Sequence, residues 1–242
     1  MKQIIIIISL LASLLSCDQK RDNEFKFAVS GEFKPFSYVD KKGHLTGFDV
    51  ELGNIIAREL QKTSVSVKYK FSGIIEGLKS GRFDAAVASH TITSERKKQV
   101  NFSRPYYYSG PQVFSRNKKN NIKLKDLEIA VSKGSTYQKM AKSYTNKVKV
   151  YDSDNTALEA LSRGRHDVVI TDRVTGAMAL KKGLKVFPNQ SLGESQQGIA
   201  LAKDSPELLK TINKILLKLE SNGTLMNLSK KYFASDITKA NK

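Results

Sequence analysis

One short pattern occurs twice in the chain, and it limits the possible folds more than any other feature. Leu78 to Ser89 reads LKSGRFDAAVAS and Leu161 to Asp172 reads LSRGRHDVVITD, so L-x-x-G-R-x-D precedes an apolar run in both places. Glycine commonly follows the last turn of a helix, and a short apolar run is typical of a buried strand. The chain therefore encodes the same helix-to-strand unit two times.

Strands and helices alternate around these units. The segment 47–61 places its apolar residues on one helical face, whereas 25–30 and 64–70 have the pattern of strands. The alternation resumes from residue 128 to residue 183. This order is typical of α/β proteins with parallel sheets. Because the later part contains a strand–helix–strand set of its own, we predict two α/β lobes of similar construction. A single sheet that contains both copies is the alternative.

The composition is that of a folded, water-soluble body. Of the 242 residues, 40% are hydrophobic and 26% are charged, which excludes disordered and fibrous classes. The formal net charge is +18, and such a charge can indicate nucleic-acid binding. The basic residues are spread along the chain, however, and the densest run, 116–125, has the character of a solvated loop. We therefore expect no nucleic-acid partner, and we attribute the charge to solubility and to attraction toward anionic membrane surfaces.

The N-terminus has the features of an export signal. Residues 1–16 combine Lys2 with an apolar run that is too short to span a bilayer comfortably. Cys17, the one cysteine of the chain, follows LLS in a context that resembles the lipobox of bacterial lipoproteins, in which the cysteine is lipidated. We predict a lipoprotein signal peptide over 1–16 and an exported protein, lipid-anchored through Cys17 on the periplasmic or cell-surface side of a bacterial membrane. An ordinary cleaved signal is the alternative.

The repeated unit also indicates where a ligand binds. In open α/β sheets, ligands collect beyond the carboxyl ends of the parallel strands. These ends lie at Ser89 in the first copy and at Asp172 in the second. If the two lobes face each other, both ends line one cleft.

The residues after the first copy are suited to a carboxylate group. Ser89 and Thr91 share one side of a predicted extended segment, and Arg96 follows at the start of a short helix capped by Thr93 or Ser94. Hydroxyl groups, free helix N–H groups and a forked guanidinium are typical partners of a carboxylate. We therefore predict an anion site in the first lobe.

A second helix start contributes to the predicted anion site. The chain bends at Gly134, and a helix begins at Ser135, whose N–H groups can hold the same anion. Both features have structural alternatives. Ser135 and Gln138 also fit a capping box, and Arg96 fits a surface ion pair with its neighbour Glu95.

Asp172 lies opposite this anion site in the predicted cleft. A lone carboxylate at the end of a core strand is costly to bury for packing alone, although it can equally cap the helix that begins near Val174. An anion site in one lobe and a carboxylate in the other match a ligand that carries both charges on neighbouring atoms. An α-amino acid is the obvious molecule of this kind.

Five stretches between residues 25 and 233 are similar to those of a known family. They are PFSYVDKKGHLTGFDVELGNIIAREL, FSGIIEGLKSGRFDAAVASHTITSERKKQVNFSRPYY, KGSTYQ, SRGRHDVVITD and QQGIALAKDSPELLKTINKILLKLESNGT. In them the chain resembles the polar amino-acid solute-binding proteins of bacterial ABC importers, and ITSERKKQVNFSRPYY is the most specific stretch.

The resemblance implies the α/β, two-lobed type II periplasmic binding protein fold, with a cleft between the lobes. Two crossing hinge strands are expected near 107–111 and 195–198. Lobe 1 is then discontinuous. The implied segments are 24–108 and 198–234 for lobe 1, 109–197 for lobe 2, and 235–242 for a C-terminal tail.

The resemblance also implies a role for individual residues. Arg96 pairs with the ligand carboxylate and Asp172 with the ammonium group, while two aromatic rings enclose the side chain, as aromatic faces suit aliphatic stems and cationic tips. Core packing is the alternative for the two rings. The implied ligand-binding residues are Arg96, Ser89, Thr91, Ser135 and Thr136 for the carboxylate, Asp172 for the ammonium group, and Phe33 and Phe71 for the side chain.

One departure from the family pattern concerns specificity. Members that bind glutamine or basic amino acids commonly have an acidic residue three positions before the first aromatic ring, and this chain has Ser30 there. Glu32 is the substitute within reach, and Ser132 and Tyr137 stand where specificity contacts often occur. We therefore expect a polar L-amino acid, with glutamine first and arginine or another basic amino acid second.

Other functions remain as alternatives. The same fold resembles that of cyclohexadienyl dehydratases, which are exported enzymes, and a ligand sensor that signals through another protein is the third possibility. The sequence lacks a G-x-S-x-G elbow, and His44, His90 and His166 have no metal-ligand spacing. We expect a non-enzymatic monomer without metal or cofactor, whose partners are an amino acid and the permease subunits of an ABC transporter.

Overall fold

A computed structural model of the chain describes residues 23–118 and 121–240. The predicted signal segment 1–16 and Cys17 lie outside the described residues. The strands are β1 (Glu24–Val29), β2 (Glu32–Phe33), β3 (Ser37–Val39), β4 (Leu45–Thr46), β5 (Thr63–Lys68), β6 (Ala85–Thr91), β7 (Asn101–Ser109), β8 (Pro111–Ser115), β9 (Ile129–Ser132), β10 (Val148–Tyr151), β11 (Val168–Asp172), β12 (Phe187–Ser191) and β13 (Ser195–Leu201). The helices are α1 (Phe48–Glu59), α2 (Ile74–Lys79), α3 (Ser94–Lys97), α4 (Thr136–Tyr144), α5 (Asp154–Ser162), α6 (Arg173–Lys181), α7 (Pro206–Ser221) and α8 (Thr224–Phe233).

Two five-stranded sheets form the two lobes. The first has the order β5-β1-β6-β13-β7, and the second has the order β10-β9-β11-β8-β12. Apolar side chains from the strands and from helices on both faces pack into separate clusters in each lobe. The alternative of a single sheet with both copies of the repeated unit is therefore wrong, because β6 and β11 belong to different sheets.

The sheets are mixed, whereas the sequence pattern indicated parallel sheets. Strand β1 is parallel to β5 and β6, and β9 is parallel to β10 and β11. Strand β13 is antiparallel to β6 and β7, and β8 is antiparallel to β11 and β12. The physical reason is connectivity. The chain runs directly from β7 into β8 and from β12 into β13, so β8 and β13 enter their sheets from the passage between the lobes, where β11 and β6 end, and therefore run antiparallel to them.

The repeated unit has the same structure in both lobes. Gly81 and Gly164 follow α2 and α5 with φ of +67° and +77°, the left-handed conformation expected of a glycine that ends a helix. The aspartate of the motif joins neighbouring strands. Asp84 Oδ2 accepts a hydrogen bond from Lys26 N, and Asp167 Oδ2 accepts one from Glu128 N, each at 2.8 Å. The motif thus ends a helix and fixes the start of a core strand.

The chain passes twice between the lobes, through β7–Gly110–β8 and from β12 to β13. The two passages lie side by side, because Ser109 pairs with Ser195 and a Cβ atom on Gly110 would lie 2.1 Å from the carbonyl oxygen of Gly193. The lobe boundaries predicted at 108 and 198 each fall inside a strand of the first sheet.

The predicted C-terminal tail packs on the first lobe as far as Thr238. The Ile237 carbonyl accepts a hydrogen bond from Tyr108 N at 2.8 Å, Ser229 Oγ donates to the Ser235 carbonyl at 2.7 Å, and Thr238 is buried. These contacts tie the segment to β7 and α8. Among the residues described, no helix combines the length and apolarity required to cross a membrane.

Candidate functional site

A pocket lies between the two lobes at the carboxyl ends of the parallel strands. The pocket and its mouth together contain about 560 Å³ of space free of protein atoms, open solvent included. Its lining includes all eight residues implied for ligand binding: Phe33, Phe71, Ser89, Thr91, Arg96, Ser135, Thr136 and Asp172. It also includes Ser30, Glu32, Tyr107, Ser132, Tyr137, Asp152, Ser153 and Asp154. The structure therefore brings the implied residues together in one place.

Arg96 reaches across the lobes. It lies in the short helix α3, whose cap is Thr93, and its guanidinium Nη1 and Nη2 donate to the carbonyls of Thr91 and Gly134, both at 3.1 Å. Its neighbour Glu95 does not pair with it and instead contacts Lys139 Nζ of the other lobe at 3.1 Å. The half-buried guanidinium keeps further N–H donors beside the pocket, as carboxylate binding requires.

Ser89 differs from its predicted extended conformation. Its φ is +55°, a left-handed conformation that is uncommon for residues other than glycine. Its hydroxyl donates to Asp49 Oδ2 at 2.8 Å, so that hydrogen is not available to a ligand carboxylate. The Ser89 hydroxyl thus faces Asp49 behind the pocket in this structure, and its contact with a ligand carboxylate stays a prediction.

The helix start at Ser135 also differs in detail from the predicted capping box. Ser135 Oγ donates to the Ser132 carbonyl at 2.7 Å and makes no hydrogen bond to the N–H groups of α4. Gln138 Oε1 accepts from Gly134 N at 3.2 Å, one residue before the expected donor. Ser135 and Thr136 both line the pocket at the positive end of this helix, an arrangement that favours an anion.

Asp172 caps a helix, as one of its two predicted roles requires, and it also lines the pocket, where its pairing with a ligand ammonium group stays a prediction. Oδ1 caps α6 by accepting from Val174 N at 2.9 Å and from Thr175 N at 3.4 Å, while Oδ2 lies 3.5 Å from the Tyr137 hydroxyl. The side chain is 2% exposed. Burial raises the pKa of Asp172 to about 6, against the lowering effect of its hydrogen bonds. This carboxylate is thus held at the end of β11, and it forms no ion pair with any residue in the part of the chain that the structure describes.

Asp154 is a site residue that the sequence analysis missed. Its Oδ1 accepts a hydrogen bond from Thr171 Oγ1 at 2.5 Å, and burial, with the Asp172 charge adding to it, raises its pKa to about 6. The sequence YDSDN directly after β10 contained the clue. Since β10 is parallel to β9, its carboxyl end lies at the same edge of the sheet as the ends of β9 and β11. Asp152, in the same turn, is exposed at the pocket mouth.

The two phenylalanines are on the first lobe, and each ring has an aromatic neighbour behind it. Phe33 stacks on Phe36 with ring centroids 4.8 Å apart, and Phe71 stacks on His90 at 4.5 Å. His90 itself is buried and lies outside the pocket lining. Both phenylalanines are half-buried, so each presents part of its ring to the pocket.

At the position that departs from the family pattern, Ser30 makes a local contact. Its hydroxyl lies 3.0 Å from that of Ser37 and is buried. Glu32, the predicted substitute, lines the pocket mouth and pairs with Lys68 Nζ at 3.0 Å. Glu32 also approaches the second lobe, where Asn155 Nδ2 donates to its carbonyl at 3.1 Å.

No group of three or more histidine, cysteine, aspartate or glutamate side chains suited to a metal ion occurs within residues 23–118 and 121–240. His44 lies in an exposed turn beside Asp40. His166 is buried next to the Tyr151 ring, away from the pocket.

The comparisons with known proteins agree with this geometry. The model of the bacterial extracellular solute-binding proteins, family 3, matches residues 25–235. The chain belongs to this family. The L-cystine-binding protein TcyJ of Escherichia coli (strain K12) is 32% identical to this solute-binding protein over 220 residues, which cover 87% of the chain and 83% of the relative.

Two solved structures have the same fold. An ancestral arginine-binding protein bound to arginine is 34% identical, with a TM-score of 0.81 over 87% of this chain and 98% of that one. The ancestral amino acid-binding protein AncCDT-1, a precursor of cyclohexadienyl dehydratase, is 32% identical, with a TM-score of 0.82 over 88% and 96% of the two chains. The predicted two-lobed type II periplasmic binding fold and the predicted family are confirmed. The family consists of extracellular proteins, as expected for an exported chain.

Proposed function

We propose that this solute-binding protein captures an L-amino acid with a cationic side chain, arginine being the best match, and delivers it to the permease of an ABC transporter. The observation that carries the proposal is the charge of the pocket lining. The lining contains four carboxylates, those of Glu32, Asp152, Asp154 and Asp172, and one guanidinium, that of Arg96; of the four carboxylates, Glu32 pairs with Lys68.

The α-amino and α-carboxylate groups account for one charge of each sign. Arg96, with the helix start at Ser135 and Thr136, matches the carboxylate, and the buried Asp172 matches the ammonium group. A buried carboxylate with a raised pKa gains most from a cationic partner, because that partner replaces the hydration it has lost. The relatives bound to arginine or named for cystine support this assignment of the site to an amino acid.

The remaining carboxylates favour a second positive charge on the ligand. Asp154 is buried deep in the pocket, and Asp152 and Glu32 surround its mouth. A neutral side chain would leave Asp154 without a cationic partner inside a closed pocket, whereas a guanidinium satisfies it. We call Glu32, Asp152 and Asp154 the acidic wall of the pocket. The acidic wall reverses the order of ligands expected from the sequence, in which glutamine came before arginine because Ser30 is not acidic.

L-Cystine is the second candidate, and one observation favours it. A second cavity adjoins the pocket and shares Glu32, Phe71 and Asp152 with it, while Lys70 and Lys133 contribute positive charges. Cystine has a second ammonium and a second carboxylate at its far end, which match the acidic wall and these lysines respectively.

Catalysis is not part of the proposal. The pocket offers matched charges for a zwitterion, and closure of the lobes around it is sufficient for a transport function. The AncCDT-1 neighbour is itself an amino acid-binding protein, which supports binding as the function of this fold. We further propose that the protein acts as a monomer and that lipid on Cys17 holds it at the membrane.

A thermal-shift screen tests the proposed function. The mature protein, freed of ligand by unfolding and refolding, is screened against the standard amino acids, L-cystine and prephenate. A ligand at about 1,000 times its Kd stabilises the folded state by about 4 kcal/mol, which raises the Tm of a chain of this size by roughly 10 °C. We expect this shift with L-arginine. A shift with prephenate alone would instead support the dehydratase alternative.

A further inference from the structure

The aromatic residue of the repeated unit differs between the two lobes. The residue before the aspartate of L-x-x-G-R-x-D is Phe83 in the first copy and His166 in the second. The Phe83 ring is buried and meets Tyr69 edge to face, with ring centroids 5.6 Å apart and planes at 69°. His166 is also buried and meets Tyr151 in the same way, at 5.5 Å and 64°. A titratable ring thus takes the place of a phenyl ring in the second lobe.

Each of these tyrosines lies directly before a segment that lines the ligand pocket. Tyr69 follows β5 and is two residues before Phe71, which lines the pocket from the first lobe. Tyr151 ends β10 and is followed by residues 152–154, which line the pocket from the second lobe and supply two of the three carboxylates of the acidic wall. The ring of His166 therefore supports the base of the segment that carries the acidic wall.

His166 is buried without the hydrogen bonds that a charged ring requires. Within residues 23–118 and 121–240, neither of its ring nitrogens has a hydrogen-bond partner. A buried cation without hydrogen bonds is costly, so the ring keeps this position only while it is neutral. Burial lowers the pKa of His166 below its ordinary value of 6.5, although the backbone of Ala157 and the charge of Glu128 act in the opposite direction.

The charged side chains around His166 are engaged elsewhere or exposed. Glu128, just before β9, pairs with Lys149 Nζ at 3.5 Å, and Asp167 Oδ2 accepts from Glu128 N at 2.8 Å. From β10 the neighbour is the Tyr151 ring, and α5 presents the backbone of Ala157. The remaining charged side chains near this end of β10 and α5 are exposed: Lys147, Glu159, Arg163 and Arg165. In the described part of the chain, His166 forms no ion pair with any of them.

We infer that His166 is a positioning residue for the acidic wall: its neutral ring packs on Tyr151 and holds segment 151–157, and protonation expels the ring and loosens that segment. The pocket then loses its acidic side under acidic conditions, and the ligand is released. The inference rests on the proposed function, because a ligand that needs the acidic wall is what makes this segment important.

The direction of the pH effect follows from the two states of the ring. When segment 151–157 opens, His166 becomes exposed and has its ordinary pKa of 6.5, so the opened form binds a proton that the packed form does not. The packed form is therefore favoured above this pH and loses stability as the pH falls through it. Asp154 and Asp172 have the opposite effect on stability, because burial raises the pKa of each to about 6. Only a variant at position 166 isolates the contribution of the histidine.

The decisive variant is His166→Phe, which gives the second lobe the residue of the first. At pH 8 it should bind L-arginine as the wild type does. At pH 5 it should bind L-arginine at least about threefold more tightly than the wild type, because its acidic wall stays in place. The Tm difference between the two empty proteins should likewise grow from pH 8 to pH 5. His44→Phe, a change of a histidine in an exposed turn, is the matched control and should follow the wild type at both pH values.

Amide hydrogen exchange of the empty protein locates the effect. At pH 5, segment 151–157 should exchange faster in the wild type than in His166→Phe, whereas residues 69–75 of the first lobe should exchange equally in both. If His166→Phe does not fold, the wild type alone remains decisive. After correction for the intrinsic pH dependence of exchange, its segment 151–157 should lose protection relative to residues 69–75 as the pH falls from 8 to 5.

The possible outcomes distinguish this inference from the proposed function. A ratio of the two affinities that is the same at pH 5 and pH 8, or equal exchange of segment 151–157 in both proteins, would show that His166 only fills space. The exchange measurement uses no ligand, so it tests the inference even if L-arginine does not bind. Failure of L-arginine to bind would contradict the proposed side-chain class, and the affinities would then be compared with the amino acid that gives the largest thermal shift. No binding of any amino acid would overturn both proposals.

Discussion

At the scale of single residues, the pocket concentrates carboxylates that are costly to keep ionised. Asp154 and Asp172 are buried, and burial raises the pKa of each to about 6 from an ordinary value of 3.8. Between these values the folded state binds protons that the unfolded state has lost. The free energy of unfolding of the empty protein therefore falls as pH rises through this window. A cationic ligand offsets this cost, so the binding site is built at the expense of stability.

The variant Asp154→Asn tests whether the same carboxylate lowers the stability of the empty protein and strengthens ligand binding. At pH 8 it should raise the free energy of unfolding of the empty protein by about 1–3 kcal/mol, since the amide has no charge to desolvate. It should also weaken L-arginine binding at least about tenfold. In the wild type, arginine affinity should fall as pH drops below about 6, where both carboxylates become protonated. Asp126→Asn, at an exposed position, is the control for both denaturation and titration. A less stable Asp154→Asn protein with unchanged affinity would contradict this reading.

At the scale of elements, the sequence predicted the repeated units well and the rest of the sheets less well. The L-x-x-G-R-x-D pattern identified α2 with β6 and α5 with β11, because a helix end and an apolar strand are local features. The directions of β8 and β13 are not local features, since each depends on pairing with strands far away in the chain, β8 with β11 and β13 with β6. For the same reason the sequence does not predict that the segment after β10, where α5 begins at Asp154, is part of the site.

The approach of the two lobes depends on one turn between β9 and α4. Gly134 has φ of +75°, and a Cβ atom there would lie 2.9 Å from Cα and Cβ of Ser72 in the other lobe. Gly183 has a similar φ of +89° with open space around it. Gly134→Ala and Gly183→Ala should therefore lower the Tm by similar small amounts, because both strain the backbone. Only Gly134→Ala should weaken L-arginine binding, by about tenfold or more, because it obstructs closure. Equal affinities of the two variants in calorimetric titrations would show that the contact with Ser72 is unimportant.

At the scale of the whole molecule, the lobes are joined around the pocket by contacts that need both of them. Arg96 donates to the Gly134 carbonyl, Asn155 donates to the Glu32 carbonyl, and Lys139 pairs with Glu95. The last pair is exposed and contributes little to stability by itself. A ligand that touches both lobes adds to these contacts only in the closed form, and this difference in affinity is what shifts the population toward closure.

The sequence could predict the family, the two lobes and the positions that line the pocket, because each follows from local patterns and from the resemblance. It could not predict the balance of charge within the pocket. That balance depends on two segments that are distant in the chain and meet in space, which place Glu32, Asp152 and Asp154 around one pocket. The direction of the Ser89 hydroxyl likewise depends on Asp49, forty residues away in the chain.

The central claim is that the pocket selects a positive charge on the ligand side chain. Isothermal titration of the refolded wild-type protein with L-arginine and with L-citrulline tests it most directly, because the two differ little in shape and mainly in that charge. The account predicts that L-arginine binds at least about tenfold tighter, a difference of about 1.4 kcal/mol. Equal or tighter binding of L-citrulline would show that the acidic wall does not select a positively charged side chain, and would contradict the claim.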